Sequence, residues 1–96
     1  MILSIDTTNN LKTIIKLGNF SISKSYSHPR SQEVLTLIDK LIKKSGIKLA
    51  QITKIQVNNK LGSYTGTRVG IAVANTIAWA LGIKVNGKSK EDIEYE

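Results

Sequence analysis

The sequence has no cysteine, and it contains one histidine, one proline, one tryptophan and one phenylalanine among its 96 residues. The absence of cysteine excludes disulfides, thiol catalysis and thiolate metal sites. A single histidine, His28, excludes His-rich zinc or haem ligation. No apolar run approaches the roughly 20 residues that span a bilayer, and the N-terminus lacks the basic segment and cleavage site of a signal peptide. These absences predict a cytoplasmic protein without a membrane segment or a metal site.

Acidic residues are also scarce: seven stand against fourteen lysines and arginines, which gives a net charge of +7. Such an excess is typical of proteins that contact nucleic-acid phosphates. The basic residues other than Arg30 and Arg68 are lysines, however, and they are scattered from Lys12 to Lys90. Because isoleucine and asparagine are abundant as well, a compositionally biased genome is the favoured explanation, and RNA contact stays the alternative.

Apolar alternation, turn residues and helical periodicity predict seven elements. The predicted strands are 2–6, 11–17, 20–26, 54–58 and 83–86, and the predicted helices are 31–45 and 66–81. The order β-β-β-α-β-α-β predicts an α/β domain over residues 1–88, with helices packed on a mixed five-stranded sheet. This is the order of a ribonuclease-H-like, actin-like domain. Residues 89–96 are predicted to be a tail or the start of a third helix, because Ser89 and Asp92 resemble a capping box.

The first predicted helix is amphipathic, and Gly46 follows it at a position suited to a C-terminal cap. We expect it to cover one face of the sheet through a broad apolar stripe. That stripe consists of Val34, Leu35, Leu37, Ile38, Leu41 and Ile42.

The second predicted helix is nearly apolar all round, and such a helix needs cover on both sides. One side can pack on the sheet, and in a chain of 96 residues little remains to cover the other. We therefore predict a partner there, with Trp79 as its central anchor and with Ala72 and Ala78 allowing close approach. The alternative is that Trp79 folds under the Gly82 loop and Arg68 caps a local carboxylate. The predicted interface consists of Arg68, Ile71, Ala72, Asn75 and Trp79.

A glycine-containing loop, residues 62–68, leads into the second helix, and a helix N-terminus favours anions. The spacing is not that of a Walker A loop. Close packing of helix on sheet explains the glycines equally well. The candidate anion or turn loop consists of Asp6, Thr7, Gly62, Ser63, Thr65 and Gly66. No catalytic or metal-binding constellation accompanies it, because the acids lie on different predicted elements.

Three segments carry a family resemblance: IDTT at 5–8, PRSQEVLTLID at 29–39 and GSYTGTRVGIAVANTIAWALGIKVNG at 62–87. Together they resemble the N-terminal domain of the TsaB (YeaZ) family, whose GS[FY]TG-x-R-[IV]-G signature is intact here. The resemblance implies an actin-like (ASKHA) half-fold. It also implies a non-catalytic subunit that supports TsaD, its catalytic paralogue, in making N6-threonylcarbamoyladenosine (t6A) in tRNA.

The resemblance also implies a set of partners. These are a TsaD-type paralogue in a heterodimer, TsaE, a second copy through the same helix, and tRNA through weak or indirect contact. Two departures from the family pattern bear on a cofactor: Asn58–Leu61 replace a glycine–proline run, and the usual second domain is absent from the sequence. We therefore expect no nucleotide cofactor. A basic tRNA-binding module and a nucleotide-binding actin-like fragment are the alternative functions.

Overall fold

The computed structural model describes residues 1–27, 33–60, 62 and 64–91. All seven predicted strands and helices are present, with boundaries that differ from the predicted ones by a few residues. Residues 92–96 of the predicted tail or third helix lie outside the described residues. A short 3₁₀ turn at Leu49–Gln51, which was not predicted, precedes the fourth strand. In chain order the elements are β1 Ile2–Asp6, β2 Lys12–Leu17, β3 Phe20–Ser25, α1 Val34–Ser45, β4 Lys54–Val57, α2 Tyr64–Leu81 and β5 Lys84–Val85.

The five strands form one mixed sheet in the order β3-β2-β1-β4-β5. The first three strands pair antiparallel as a meander, whereas β4 runs parallel to both β1 and β5. In the centre, Ile5 lies opposite Ile15 on β2 and opposite Val57 on β4. The prediction of a mixed α/β sheet is therefore confirmed.

Both helices pack on the same face of this sheet, and the core lies between them and the strands. Alternate residues of each strand point into this core, because successive side chains of a strand alternate between faces. The strands contribute Leu3, Ile5, Ile15, Leu17, Ile55, Val57 and Val85; the helices contribute Val34, Leu37, Ile38, Leu41, Ile71, Ala74 and Ala78.

One residue of the predicted α1 stripe is misplaced. Leu35 is 62% exposed, whereas Val34 and Ile38 on the same helix are buried. The stripe is narrower than predicted because the inward side chains recur three and four residues apart, and Leu35 lies beyond its edge. The predicted cap is confirmed: Gly46 has a φ of 73° and its N–H donates to the Ile42 carbonyl at 3.0 Å.

The opposite face of the sheet, here called the open face, is not covered by any element in the part of the chain that the structure describes. Its side chains are largely polar, and its four lysines are exposed. The open face consists of Ile2, Ser4, Asp6, Lys12, Ile14, Lys16, Ser21, Ser23, Ser25, Lys54, Gln56 and Lys84. Among the described residues, no helix has the length and apolarity that crossing a membrane requires.

Candidate functional site

The turn after β1 is closed by its own side chains. One carboxylate oxygen of Asp6 accepts hydrogen bonds from the backbone N–H of Thr8 at 3.0 Å and from the Thr8 hydroxyl at 2.7 Å. The other accepts one from the Asn58 amide at 3.3 Å. Partial burial favours the neutral acid, but these donors stabilise the charged form more strongly, so the pKa of Asp6 lies below its ordinary value. The turn therefore holds an ionised carboxylate.

This turn packs directly against the N-terminal half of α2. The buried Thr7 hydroxyl donates to the Gly66 carbonyl at 2.5 Å. A Cβ at Gly70 would overlap the Thr7 Oγ1 atom, and a Cβ at Gly62 would lie 2.6 Å from the Thr8 carbonyl oxygen. The glycines thus allow the close approach of helix and sheet, which was one of the two explanations given from the sequence.

The structure brings together four residues of the candidate anion or turn loop: Asp6, Thr7, Gly62 and Gly66. Thr65 is exposed on the first turn of α2, and Ser63 lies outside the described residues. An ionised Asp6 carboxylate opposes the approach of an anion. Anion binding at this loop stays a prediction, and the hydrogen bonds describe a packed turn.

The C-terminal half of α2 has a different character, because it presents a large apolar side chain to water. Trp79 is 86% exposed. It therefore does not fold under the Gly82 loop, and that part of the alternative is wrong. Capping of a local carboxylate by Arg68 stays a prediction. The exposed residues Arg68, Ala72, Thr76 and Trp79 form a strip along the helix, here called the outer face of α2.

Two residues expected toward the partner lie in the core instead. Ile71 is 6% exposed and Ala78 is fully buried. With Ala74 they form the stripe that packs on the sheet, because residues three and four apart share one helix face. The sequence pattern placed Ile71 with Arg68 and Asn75, and the docking of α2 rotates it to the core side. Ile71 is therefore removed from the predicted interface surface.

A shallow groove of about 410 Å³ runs beside Trp79. Asn75, Thr76 and Trp79 form its α2 side, and Ser89 and Lys90 form the opposite wall. This wall belongs to the chain that follows β5, residues 86–91, here called the return segment. The predicted tail thus contributes to the surface around Trp79.

The return segment is tied to α2 by Asn75. The Asn75 Oδ1 atom accepts the Glu91 N–H at 2.8 Å, and its Nδ2 atom donates to the Glu91 carbonyl at 3.0 Å. Both polar ends of this amide are therefore used inside the molecule. Sequence reasoning assigned Asn75 to a partner contact, although a lone amide in an apolar helix was also a signal for an internal contact.

Sequence reasoning missed the role of Glu91, which it placed among the tail acids. Its side chain is buried, and the residue is only 3% exposed. The Asn86 amide donates to one carboxylate oxygen at 2.6 Å, and the Lys88 ammonium contacts the other at 3.2 Å. A buried carboxylate requires such donors because its desolvation is otherwise costly.

Asn86 extends the sheet beyond β5. Its backbone N–H donates to the Ile55 carbonyl at 2.8 Å. Its side-chain amide then pairs with Val57, accepting the Val57 N–H at 3.0 Å and donating to the Val57 carbonyl at 2.9 Å. The residue has a φ of 50°, a conformation that asparagine tolerates better than most residues. Asn86 therefore joins β4 to the return segment.

The acids of the described chain serve separate structural contacts. Asp6 closes a turn, Glu33 pairs with Lys24, Asp39 pairs with Lys43, and Glu91 is held in the return segment. Within residues 1–27, 33–60, 62 and 64–91, no group of three or more His, Cys, Asp or Glu side chains could hold a metal ion.

Comparisons with known proteins agree with this architecture. A family model described as TsaD, tRNA N6-adenosine threonylcarbamoyltransferase, matches residues 22–89. The chain is 30% identical over 92 residues to the tRNA threonylcarbamoyladenosine biosynthesis protein TsaB of Bacillus subtilis, covering 92% of this chain and 40% of that protein.

Solved structures give the same result. YeaZ from Pseudomonas aeruginosa matches with a TM-score of 0.72 and 25% identity, over 88% of this chain and 41% of that one. A second structure, described by its similarity to peptidase YeaZ from Pseudomonas aeruginosa, has a TM-score of 0.72 at 23% identity, over 88% and 40% of the two chains. At that identity it shows the fold alone.

The chain spans about two fifths of the length of these relatives. The actin-like fold and the resemblance stated from the sequence are confirmed. The match over residues 22–89 shows that the chain belongs to the TsaD-type family, within which it is similar to the TsaB (YeaZ) proteins of tRNA threonylcarbamoyladenosine biosynthesis.

Proposed function

We propose that this chain is a non-catalytic scaffold subunit of the t6A machinery that docks on a TsaD-type catalytic subunit through the outer face of α2. The observation that carries the proposal is Trp79, 86% exposed on a helix strip whose one charged residue is Arg68. Tryptophan and arginine are enriched among the residues that dominate binding energy at protein interfaces. The proposal places the protein in the cytoplasm with its tRNA-modifying partner.

The size of the expected contribution follows from the exposure of Trp79. A tryptophan buries about 150–250 Å² when it is covered, and apolar area contributes about 25 cal/mol per Å². Because 86% of the residue is exposed, nearly all of this area is available to a partner. Truncation to alanine should therefore weaken the complex by about 2 kcal/mol or more, which is roughly 30-fold in Kd.

The test measures complex formation with TsaD from the same source, by light scattering for stoichiometry and by calorimetry for Kd. Trp79→Ala should weaken the complex, whereas Phe20→Ala should not. Phe20 is the matched control because it is a 42% exposed aromatic on β3, the sheet edge far from α2. Equal binding by Trp79→Ala and wild type would contradict the docking surface. A homodimer lost on Trp79→Ala, without TsaD binding, would assign the same surface to a second copy.

The non-catalytic assignment has its own test. The described acids are spread over separate structural contacts, and this supports a role through the partner. The chain alone should not transfer threonylcarbamoyl to tRNA, and its addition should raise the rate of TsaD in proportion to complex formed. Transfer by the chain alone would contradict the proposal. Adding TsaE to the same assay determines whether a ternary complex forms.

We propose that the chain acts without a nucleotide cofactor of its own. In the turn after β1, the Asp6 carboxylate is bonded to Thr8 and the Thr7 hydroxyl is bonded to the Gly66 carbonyl. ATP and ADP should leave the melting temperature of the chain unchanged. A concentration-dependent rise in melting temperature would instead favour the nucleotide-binding alternative.

The open face favours a second candidate function, weak contact with tRNA. Lys54 and Lys84 lie opposite each other on neighbouring strands, an unfavourable arrangement unless anions offset it. The ion pairs among the described residues use neither of them, nor Lys12 or Lys16. The affinity for tRNA should fall steeply as the salt concentration rises. The double substitution Lys54→Ala with Lys84→Ala should reduce the slope of log K against log salt by about 0.7–0.9 for each phosphate that is no longer neutralised. A slope unchanged by these substitutions would contradict this function.

A further inference from the structure

The return segment forms one wall of the groove beside Trp79, and the buried Glu91 joins two of the contacts that hold it in place, those of Asn75 and Asn86. We propose that Glu91 is a positioning residue for partner docking, which fixes Ser89 and Lys90 so that the groove accepts an apolar side chain flanked by a carboxylate. This inference rests on the proposed function, because it describes how the same docking surface is built.

The position of Glu91 is fixed from two sides. Its carboxylate is held by the Asn86 amide at 2.6 Å and by Lys88 at 3.2 Å. Its backbone N–H and carbonyl are held by the Asn75 side chain at 2.8 and 3.0 Å. Through Asn86 the carboxylate is linked to Val57 of β4, and through Asn75 the backbone is linked to α2. Glu91 therefore connects the sheet, the return segment and the docking helix.

The residues that Glu91 positions immediately precede it. Ser89 and Lys90 are exposed and form the wall opposite Trp79. Because the backbone of the next residue is fixed at both its N–H and its carbonyl, Lys90 has little freedom to leave the groove. The docking surface is thus partly organised before a partner arrives, which reduces the entropy lost on binding.

The charges around the groove define the partner's chemistry. The α2 residues that line the groove are uncharged, and Lys90 on the opposite wall brings a positive charge. A partner segment that covers Trp79 with apolar atoms and places a carboxylate near Lys90 complements this surface in both shape and charge.

This geometry gives Asn75 on α2 a role other than the direct partner contact that the sequence predicted. Both polar ends of the Asn75 amide are bonded to Glu91, so Asn75 supports docking through the return segment. Asn75→Ala and Glu91→Ala should therefore act on the same element, and combining them should cost little more than either alone.

The test is a double-mutant cycle on TsaD binding with the full chain. Glu91→Ala should weaken binding roughly tenfold in the wild-type background and much less in the Trp79→Ala background, because the effects of substitutions in contacting elements are not additive. A merely structural role would instead give the same decrease in both backgrounds. Lys90→Glu should weaken binding more than Lys90→Ala, since it repels the expected carboxylate.

Two further variants keep the test interpretable. Glu91→Gln retains the shape of the side chain and an acceptor for Asn86, so it should bind TsaD better than Glu91→Ala does. It takes the place of Glu91→Ala in the test if Glu91→Ala folds poorly. Asp39→Asn is the charge control, because it raises the net charge by the same amount from an exposed ion pair with Lys43 on α1. It should bind as wild type does.

The outcomes separate the two proposals. If Trp79→Ala has no effect on binding, the docking surface itself is wrong. If Trp79→Ala weakens binding but Glu91→Ala, Glu91→Gln and Lys90→Glu do not, the docking surface stands and the positioning role of Glu91 is overturned. Hydrogen exchange at residues 86–91 should rise in Glu91→Ala, and unchanged protection there would also overturn it.

Discussion

Replacing Asn86 tests whether one side chain joins the sheet to the return segment. Its amide makes three hydrogen bonds, two to the backbone of Val57 and one to the Glu91 carboxylate. A neutral hydrogen bond contributes about 0.5–1.5 kcal/mol and one to a charged group about 1.5–3 kcal/mol. Because Asn86 is half-buried and water replaces part of what is removed, we expect Asn86→Gly to destabilise the fold by about 2–4 kcal/mol.

Three substitutions separate the contributions at this position. The φ of 50° costs an alanine about 1 kcal/mol more than a glycine, so Asn86→Ala should be destabilised by that much more than Asn86→Gly. Asn86→Asp keeps the shape but places a second carboxylate beside that of Glu91. It should be less stable at neutral pH than in mild acid, where one of the two carboxylates is protonated.

The assay is thermal and denaturant unfolding followed by far-ultraviolet circular dichroism. Trp79 fluorescence is a poor probe of unfolding, because this single tryptophan is already 86% exposed in the folded chain. In a domain of this size a destabilisation of 2–4 kcal/mol lowers Tm by roughly 10–25 °C. If Asn86→Gly is as stable as wild type, the amide does not extend the sheet as we infer. A destabilisation confined to Asn86→Ala would assign the residue a conformational role alone.

Two further predictions concern the contact between β1 and α2. Gly70→Ala should destabilise the fold by about 1–3 kcal/mol in denaturant unfolding, because the added Cβ would overlap the Thr7 hydroxyl, although alanine has the higher helix propensity. Adding Thr7→Ala to this variant should restore part of the lost stability. Because the pKa of folded Asp6 lies below its ordinary value of 3.8, the ionised carboxylate stabilises the fold above that pH, and this stabilisation is lost as the pH falls through the folded value. Wild type should therefore lose stability in this acidic range more steeply than Asp6→Asn, as measured by melting at different pH values.

The order and type of the elements were predictable because each carries its own local pattern. The alternating residues 20–26 predicted a strand, and the apolar residues of 31–45 and 66–81 predicted two helices. Gly46 adopts the left-handed conformation expected of a helix cap, with a φ of 73°. These signals lie within a few residues of the chain, so they do not depend on the tertiary fold.

The orientation of α2 was not predictable in the same way. A helix that is apolar all round gives no strong periodic signal, so Ile71 was assigned to the outer side although it is 6% exposed. The exposure of Trp79 was predicted correctly, while the inward stripe was decided by where Ala74 and Ala78 allow close contact with the sheet. The rotation of such a helix depends on packing that the sequence does not encode locally.

The candidate site was predicted only in part, because its second wall depends on contacts between distant residues. Asn75 and Glu91 are 16 positions apart, and Val57 and Asn86 are 29 apart. No short motif marks either pair. The available signals were Asn75, a polar residue in an apolar helix, and Glu91, an acid after the last strand. The sequence analysis assigned Asn75 to the partner interface and Glu91 to the tail.

The two halves of α2 use their polar and small residues for different purposes, and this difference supports the proposed docking surface. At the N-terminal half, Gly66 and Gly70 let the turn after β1 approach closely, and the Thr7 hydroxyl donates its hydrogen bond to the Gly66 carbonyl. At the C-terminal half, the Asn75 amide is hydrogen-bonded to the return segment, and the exposed side chain is the apolar Trp79. The Thr7 hydroxyl and the Asn75 amide are therefore already bonded within the chain, whereas Trp79 is available to a partner that brings apolar area. This difference favours protein docking over small-molecule binding at α2.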